Sequence, residues 1–181
     1  MDFFRHRRFS YPGLPALVLL IAATGCSSAD DNTRTAVPSP GTKATGLCQN
    51  LDKSLPAKVD GLDREDPEPR SALTAGWGSP AIILRCGVQR PPKMVDPKVA
   101  EGGDPDAVGG GVNGVGWLME KRDDGSTRFT SAQRLAYVEV TVPKGRDTSS
   151  VLVDLAGAIK KAGCGGRCRW SRVRPRCARC L

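Results

Sequence analysis

The first 26 residues constrain the chain most, because they decide the compartment in which the rest must fold. Arg5, Arg7 and Arg8 make a basic start, Leu14 to Thr24 an apolar run, and Gly25-Cys26 its end. An apolar run of that length is too short to span about 30 Å of hydrocarbon as a lone helix. Ser27-Ser28-Ala29-Asp30-Asp31 cannot continue it. The layout reads as a secretory leader, residues 1–25, removed from the mature protein. The body is therefore expected to fold in an oxidising compartment where paired cysteines persist as disulfides.

The small residues Ala22-Ala23-Thr24-Gly25 directly before Cys26 resemble the lipobox of bacterial lipoproteins, with Ala23 where that motif usually carries leucine. The resemblance implies cleavage before Cys26, acylation of its thiol with chains such as palmitate, and attachment to the extracytoplasmic face of the cell membrane. Each buried CH₂ contributes about 0.8 kcal/mol, so two or three acyl chains hold a soluble domain without a transmembrane helix. The membrane, reached through lipid, is the expected partner.

The formal charge of +8 invites a nucleic-acid reading, but its distribution argues against one. The leader carries three arginines against Asp2, and residues 164–181 carry six arginines and no acid. Removing both from 27 basic and 19 acidic residues leaves eighteen of each in the body. A neutral body lacks the footprint that phosphate neutralisation requires, so no nucleic-acid partner is expected there. The single histidine is His6, inside the leader, which removes the usual proton carrier of hydrolytic triads and the commonest metal ligand. No cofactor or metal site is expected in the body.

Residues 26–46 are mostly Ser, Thr, Asp, Pro and Gly, with few apolar side chains, a composition expected to stay disordered as a spacer. The domain is expected over 47–163. Cys48, Leu51 and Leu55 share one helical face, closed by Pro56. Ala81 to Val88 reads as a buried strand with Ile82, Leu84, Cys86 and Val88 on one face. Gln89 to Gly111 reads as a loop. Val115–Lys121 and Thr127–Thr130 flank Asp123-Asp124-Gly125 as a hairpin. Ala136 to Val142 alternates, with Ala136, Val138, Val140 and Val142 inward and Tyr137, Glu139 and Thr141 toward water. Thr148-Ser149-Ser150 offers caps for a helix whose apolar stripe runs from Val151 to Ala162. The fold class is α+β: a small, mostly antiparallel sheet packed against N- and C-terminal helices.

Cys48 and Cys86 both face inward in this scheme, and closing a loop of about 38 residues contributes at most about 4 kcal/mol. A disulfide is the leading expectation, with two buried thiols as the alternative. The glycine-rich stretch 109–116 lacks the Gly-Lys-Ser/Thr ending of a phosphate loop and reads as a mobile loop closing in an Asn-Gly turn. Trp77, Trp117 and Tyr137 read as core or cap before pocket lining. Asp60, Asp63, Glu65, Asp66 and Glu68 fit no calcium loop.

Residues 164–181 hold Cys164, Cys168, Cys177 and Cys180 among six arginines. The spacing suggests a zinc site only loosely. Every residue there has G/C-rich codons, so a frame-slipped or otherwise non-functional tail, expected to be disordered, is preferred to a disulfide-rich tail or a zinc or nucleic-acid module.

Trp77-Gly78-Ser79-Pro80-Ala81-Ile82-Ile83-Leu84-Arg85-Cys86-Gly87-Val88 resembles the signature of an uncharacterised secreted membrane-lipoprotein family of high-G+C Gram-positive bacteria. Supporting pieces are Cys48, Leu51, Leu55-Pro56, Val59 and Gly61, then Val112-Asn113-Gly114-Val115 with Trp117, and Arg134 through Ala136-Tyr137-Val138-Glu139-Val140 to Pro143. The resemblance covers about residues 47–162 and implies a lipid-anchored extracytoplasmic domain, with no catalytic residues to carry over. After Gly163 the chain departs from the family pattern. Three functions follow as expectations. The first is a non-enzymatic binding or scaffolding domain of the envelope. The second is an envelope enzyme acting on a cell-wall or glycan substrate through carboxylates such as Asp60, Glu65, Glu120 or Glu139. The third is a zinc or nucleic-acid module in the tail.

Overall fold

The computed structural model describes residues 34–78 and 82–162. The leader, Cys26 and the cysteine-rich tail lie outside the described residues. Helix α1 spans Thr42–Asp52 and is followed by a two-stranded ribbon, β1 (Lys58–Val59) and β2 (Leu62–Asp63). The main sheet is built from β3 (Thr74–Trp77), β4 (Ile82–Val88), β5 (Ala107–Val112), β6 (Val115–Lys121), β7 (Thr127–Ser131) and β8 (Tyr137–Val142). Helix α2 (Pro97–Ala100) lies between β4 and β5, and α3 (Thr148–Ala162) ends the described chain. The six strands are ordered β3-β4-β8-β7-β6-β5, and every pair is antiparallel. This is the expected α+β layer, with α1 and α3 from the two ends of the body packed together on one face.

Alternation explains that face. Ile82, Leu84 and Cys86 of β4, Val138, Val140 and Val142 of β8, Val115 and Trp117 of β6 and Phe129 of β7 are all buried in one core. The α3 stripe Val151, Leu152, Leu155, Ala158, Ile159 and Ala162 closes it from above. Each such large apolar side chain contributes about 1.5–3 kcal/mol on burial. Cys48 of α1 and Cys86 of β4 form a disulfide with Cα atoms 5.5 Å apart, tying the first helix to the sheet's interior. Trp77 is fully buried and donates Nε1–H to the Pro56 carbonyl at 3.1 Å. Trp117 meets Phe129 edge to face, with ring centroids 6.4 Å apart. Both tryptophans belong to the core.

Several expectations are corrected. The spacer drawn through Gly46 ends earlier, because α1 starts at Thr42 and residues 34–40 lie against the body. Thr35 donates its N–H to Glu68 O, Arg85 Nε donates to Ala36 O, and Pro38 is buried. Polar composition argued for disorder, but the prolines here have no N–H to satisfy and a φ already fixed, which lowers the cost of ordering them where the sheet leaves room. Gly87 leaves that room: a Cβ there would sit 2.5 Å from Pro40 Cγ. Its φ of +89° also suits the bulge between Cys86 and Val88. That extra residue turns Val88 off the inward face, where simple alternation had put it.

The stretch expected as loop to Gly111 contains a 3₁₀ turn (Pro92–Val95), α2, and the edge strand β5. Three glycines disfavour a strand, yet Asn113 and Gly114, at φ of +48° and +80°, form the primed turn that suits a two-residue hairpin. The turn carries β5 back along β6. Helix α3 is capped one residue earlier than expected, by Asp147, whose Oδ1 accepts from Ser149 N at 2.9 Å.

Candidate functional site

The face of the sheet opposite α1 and α3 carries the most extended row of paired charges among the described residues. Alternation sends Arg85, Glu139, Arg128 and Glu120 to this face, and strand order sets them on four adjacent strands: β4, β8, β7 and β6. Register completes the arrangement, pairing Arg85 with Glu139 across β4/β8 and Glu120 with Arg128 across β6/β7. Opposite charges facing each other across strands favour the pairing.

The result is a row of alternating charge. Arg128 grips Glu120 with a two-pronged contact, Nε to Oε2 at 3.1 Å and Nη2 to Oε1 at 2.9 Å. Its Nη1 lies 4.0 Å from Glu139 Oε2. Glu139 Oε1 accepts from Arg85 Nη1 at 3.1 Å, and Arg85 Nε holds the N-terminal segment at Ala36 O, 3.0 Å away. The carboxylate side chains are only 9% and 11% exposed, the two arginines 30%. Glu139, expected to face water, is instead buried. Charges this far out of water persist only when paired in good geometry.

Two segments cover parts of this face and leave openings between them. Residues 34–40 run over the β4 side. The connection from β4 to β5 lies on the β5/β6 side, where Met94 and Val99 pack on Leu118 and Ala107. Lys93 Nζ meets Asp104 Oδ2 at 3.0 Å, and Asp104 Oδ1 accepts from Asp106 N at 2.9 Å. The backbone bond to Asp106, then Lys93, hold the Asp104 carboxyl below its ordinary pKa. Between the segments lies a cleft of about 370 Å³ whose wall includes Pro38, Arg85, Arg90, Pro92, Arg128 and Glu139. A second, of about 430 Å³, is lined by Lys93, Glu120, Lys121, Arg122, Asp123, Asp124 and Arg128. Arg128 is common to both.

Of the four carboxylates expected as acid/base candidates, the structure brings together two. Glu120 and Glu139 approach Arg128 from either side. Asp60 lies elsewhere, on the β1–β2 turn, receiving Arg146 Nη1 at 3.4 Å while its N–H donates to Asp154 Oδ2 at 2.9 Å. Glu65 is exposed. Among the described residues no group of three or more His, Cys, Asp or Glu could hold a metal, and no helix is long and apolar enough to cross a membrane. Cys26 and the tail cysteines Cys164, Cys168, Cys177 and Cys180 lie outside the described residues. Sequence reasoning missed Arg85 and Arg128 as site residues. Their only linear signal is one arginine at an outward position of each strand.

No curated protein and no solved structure matches the chain. A family described as a protein of unknown function, DUF3515, matches residues 13–163. With most of its length so matched, the chain belongs to the DUF3515 family.

Proposed function

We propose that this protein is an exported, lipid-anchored domain of the cell envelope that binds a ligand on the outer face of its sheet. The anchor rests on the leader, on the small residues before Cys26, and on the resemblance of the Trp77 to Val88 segment to secreted lipoproteins. The observation that carries the binding role is the charge row, Arg85–Glu139–Arg128–Glu120, lying at the floor of open clefts. Rigid polar groups at the base of a concave surface are what recognition requires. The row is held on strands, so its geometry does not depend on loop order.

The convergence of Glu120 and Glu139 favours a carboxylate enzyme as the second reading. Against it, both carboxylates already accept from guanidinium groups, whereas a general acid must present a proton to its substrate.

Two measurements test the proposal. Cys26→Ala should move the protein from the membrane to the soluble fraction, and retention with the membrane would sink the anchor. A photo-cross-linking residue at Gln89, beside the cleft, should capture a specific partner or ligand in intact cells. The same residue at Lys161, on the helical layer, should not. Turnover of cell-wall glycan that is lost in Glu139→Gln would replace binding by catalysis.

A further inference from the structure

The reading of the outer face as a binding surface leaves open what it binds, and the donors and charges of the cleft narrow the choice. Arg85, Arg90 and Arg128 line it against one carboxylate, Glu139, an excess of two positive charges. Even with Glu120 counted through its contact to Arg128, cations exceed anions. Arg90 is exposed and forms no ion pair with the described residues. An arginine has five N–H donors. Those of Arg85 go from Nε to Ala36 O and from Nη1 to Glu139, so Nη2 has no hydrogen-bond partner among the described residues. Those of Arg128 go from Nε and Nη2 to Glu120. Its Nη1, 4.0 Å from Glu139, is too distant for a hydrogen bond.

The cleft thus offers guanidinium donors from three residues. A flat carboxylate is satisfied by one guanidinium fork in its own plane, whereas a tetrahedral oxyanion accepts from several directions. A phosphate monoester carries about −1.5 to −2 near neutral pH, the sign that the cleft's net positive charge attracts. Glu139 Oε2 remains an acceptor facing a guanidinium it does not bond, which suits a hydroxyl donor beside the phosphate. Pro38, Pro91, Pro92 and Val88 give rigid apolar walls for a short carbon skeleton. A volume of about 370 Å³ admits a small molecule or a lipid headgroup.

We propose that this cleft binds the phosphate monoester of a small hydroxylated molecule, with Arg85 and Arg128 at its floor and Arg90 at its rim. The assignment rests on the binding-domain reading above. Its test uses the full acylated chain in detergent micelles, titrated calorimetrically with glycerol 3-phosphate and with succinate. The same chain is offered phosphatidylcholine vesicles with and without phosphatidic acid.

Saturable binding of glycerol 3-phosphate, or of phosphatidic acid vesicles alone, supports the site and separates a free ester from a lipid surface. Arg90→Glu should weaken that binding tenfold or more without changing the melting curve, because Arg90 is exposed and forms no ion pair among the described residues. Lys161→Glu makes the same charge change on the helical layer and should leave binding intact. Arg128→Gln should abolish binding, but it also strips Glu120 and Glu139, so the Arg90 variant decides. Equal affinity for succinate, binding unaltered by Arg90→Glu, or no saturation with either phosphate probe at millimolar concentration overturns the assignment. If the phosphate probes fail while cross-linking from Gln89 still captures a specific partner, the phosphate site falls and the binding domain stands.

Discussion

The two faces of the central sheet are built on opposite principles from the same strands. The inner face is apolar, continuous and doubly covered by α1 and α3, with the Cys48–Cys86 disulfide as a covalent tie. The outer face is a line of four charges, roofed only in part by residues 34–40 and by the β4–β5 connection. Hydrophobic burial is non-directional and tolerates small shifts. An ion row demands register, because a one-residue slip sends every side chain to the other face. The inner face therefore supplies most of the stability, and the outer face supplies specificity of pairing and the polar surface.

Four experiments can break or sharpen that contrast. The largest effect is expected from the inner face: Cys48→Ala with Cys86→Ala should lower unfolding free energy by about 4 kcal/mol, from the 38-residue separation. Denaturant unfolding of the double variant and of the disulfide-bonded parent, both without reductant, measures it. A loss near zero would mean the core alone holds α1 in place.

On the outer face, Arg128→Met keeps the volume but removes the cation from two buried carboxylates, and should cost about 3 kcal/mol. Replacing the whole row by apolar residues, Arg85→Met, Glu139→Leu, Arg128→Met and Glu120→Leu, should recover most of that loss. The reason is that isolated buried charges destabilise more than intact pairs stabilise. Recovery in stability with loss of cleft binding would separate the two roles of the row. No recovery would show that the charges hold strand register.

A smaller effect, about 1 kcal/mol, is expected for Asp147→Ala, which leaves the start of α3 without its cap. Thermal melting reads it. The smallest is a pH effect. Because the Asp104 carboxyl is held below its ordinary pKa by the Asp106 N–H and by Lys93, its contribution is fully present above the ordinary aspartate pKa. It is lost as pH falls through the depressed folded value. The β4–β5 connection should loosen first in acid, seen as faster amide exchange at Asp106. Asp104→Asn should show that faster exchange already at neutral pH.

Much of the inner face was legible in the linear sequence. The alternation of Val138, Val140 and Val142, the Val151 to Ala162 stripe and the inward Cys48 and Cys86 depend on periods of two and 3.6, which local geometry imposes. Glu139 and Arg85 were legible as outward residues, but not as partners. Strand order brings β4 beside β8 across 48 intervening residues of β5, β6, β7 and their connections. Composition misled in two places, at residues 34–46 and at Gly109-Gly110-Gly111. In each, intrinsic preference for disorder or loop yielded to a neighbour: Gly87 and Arg85 for the N-terminal segment, β6 for the glycines.

By itself the sequence determined the periods, hence which side chains share a face, the α+β class and the candidates for the inner disulfide. It did so because those properties need only bond geometry and the aversion of apolar groups to water. The tertiary structure alone decided the strand order β3-β4-β8-β7-β6-β5, the bulge at Gly87, and the meeting of Arg85, Glu139, Arg128 and Glu120. Cross-strand contacts are set by register between segments far apart in the chain, and no local pattern of residues carries that register.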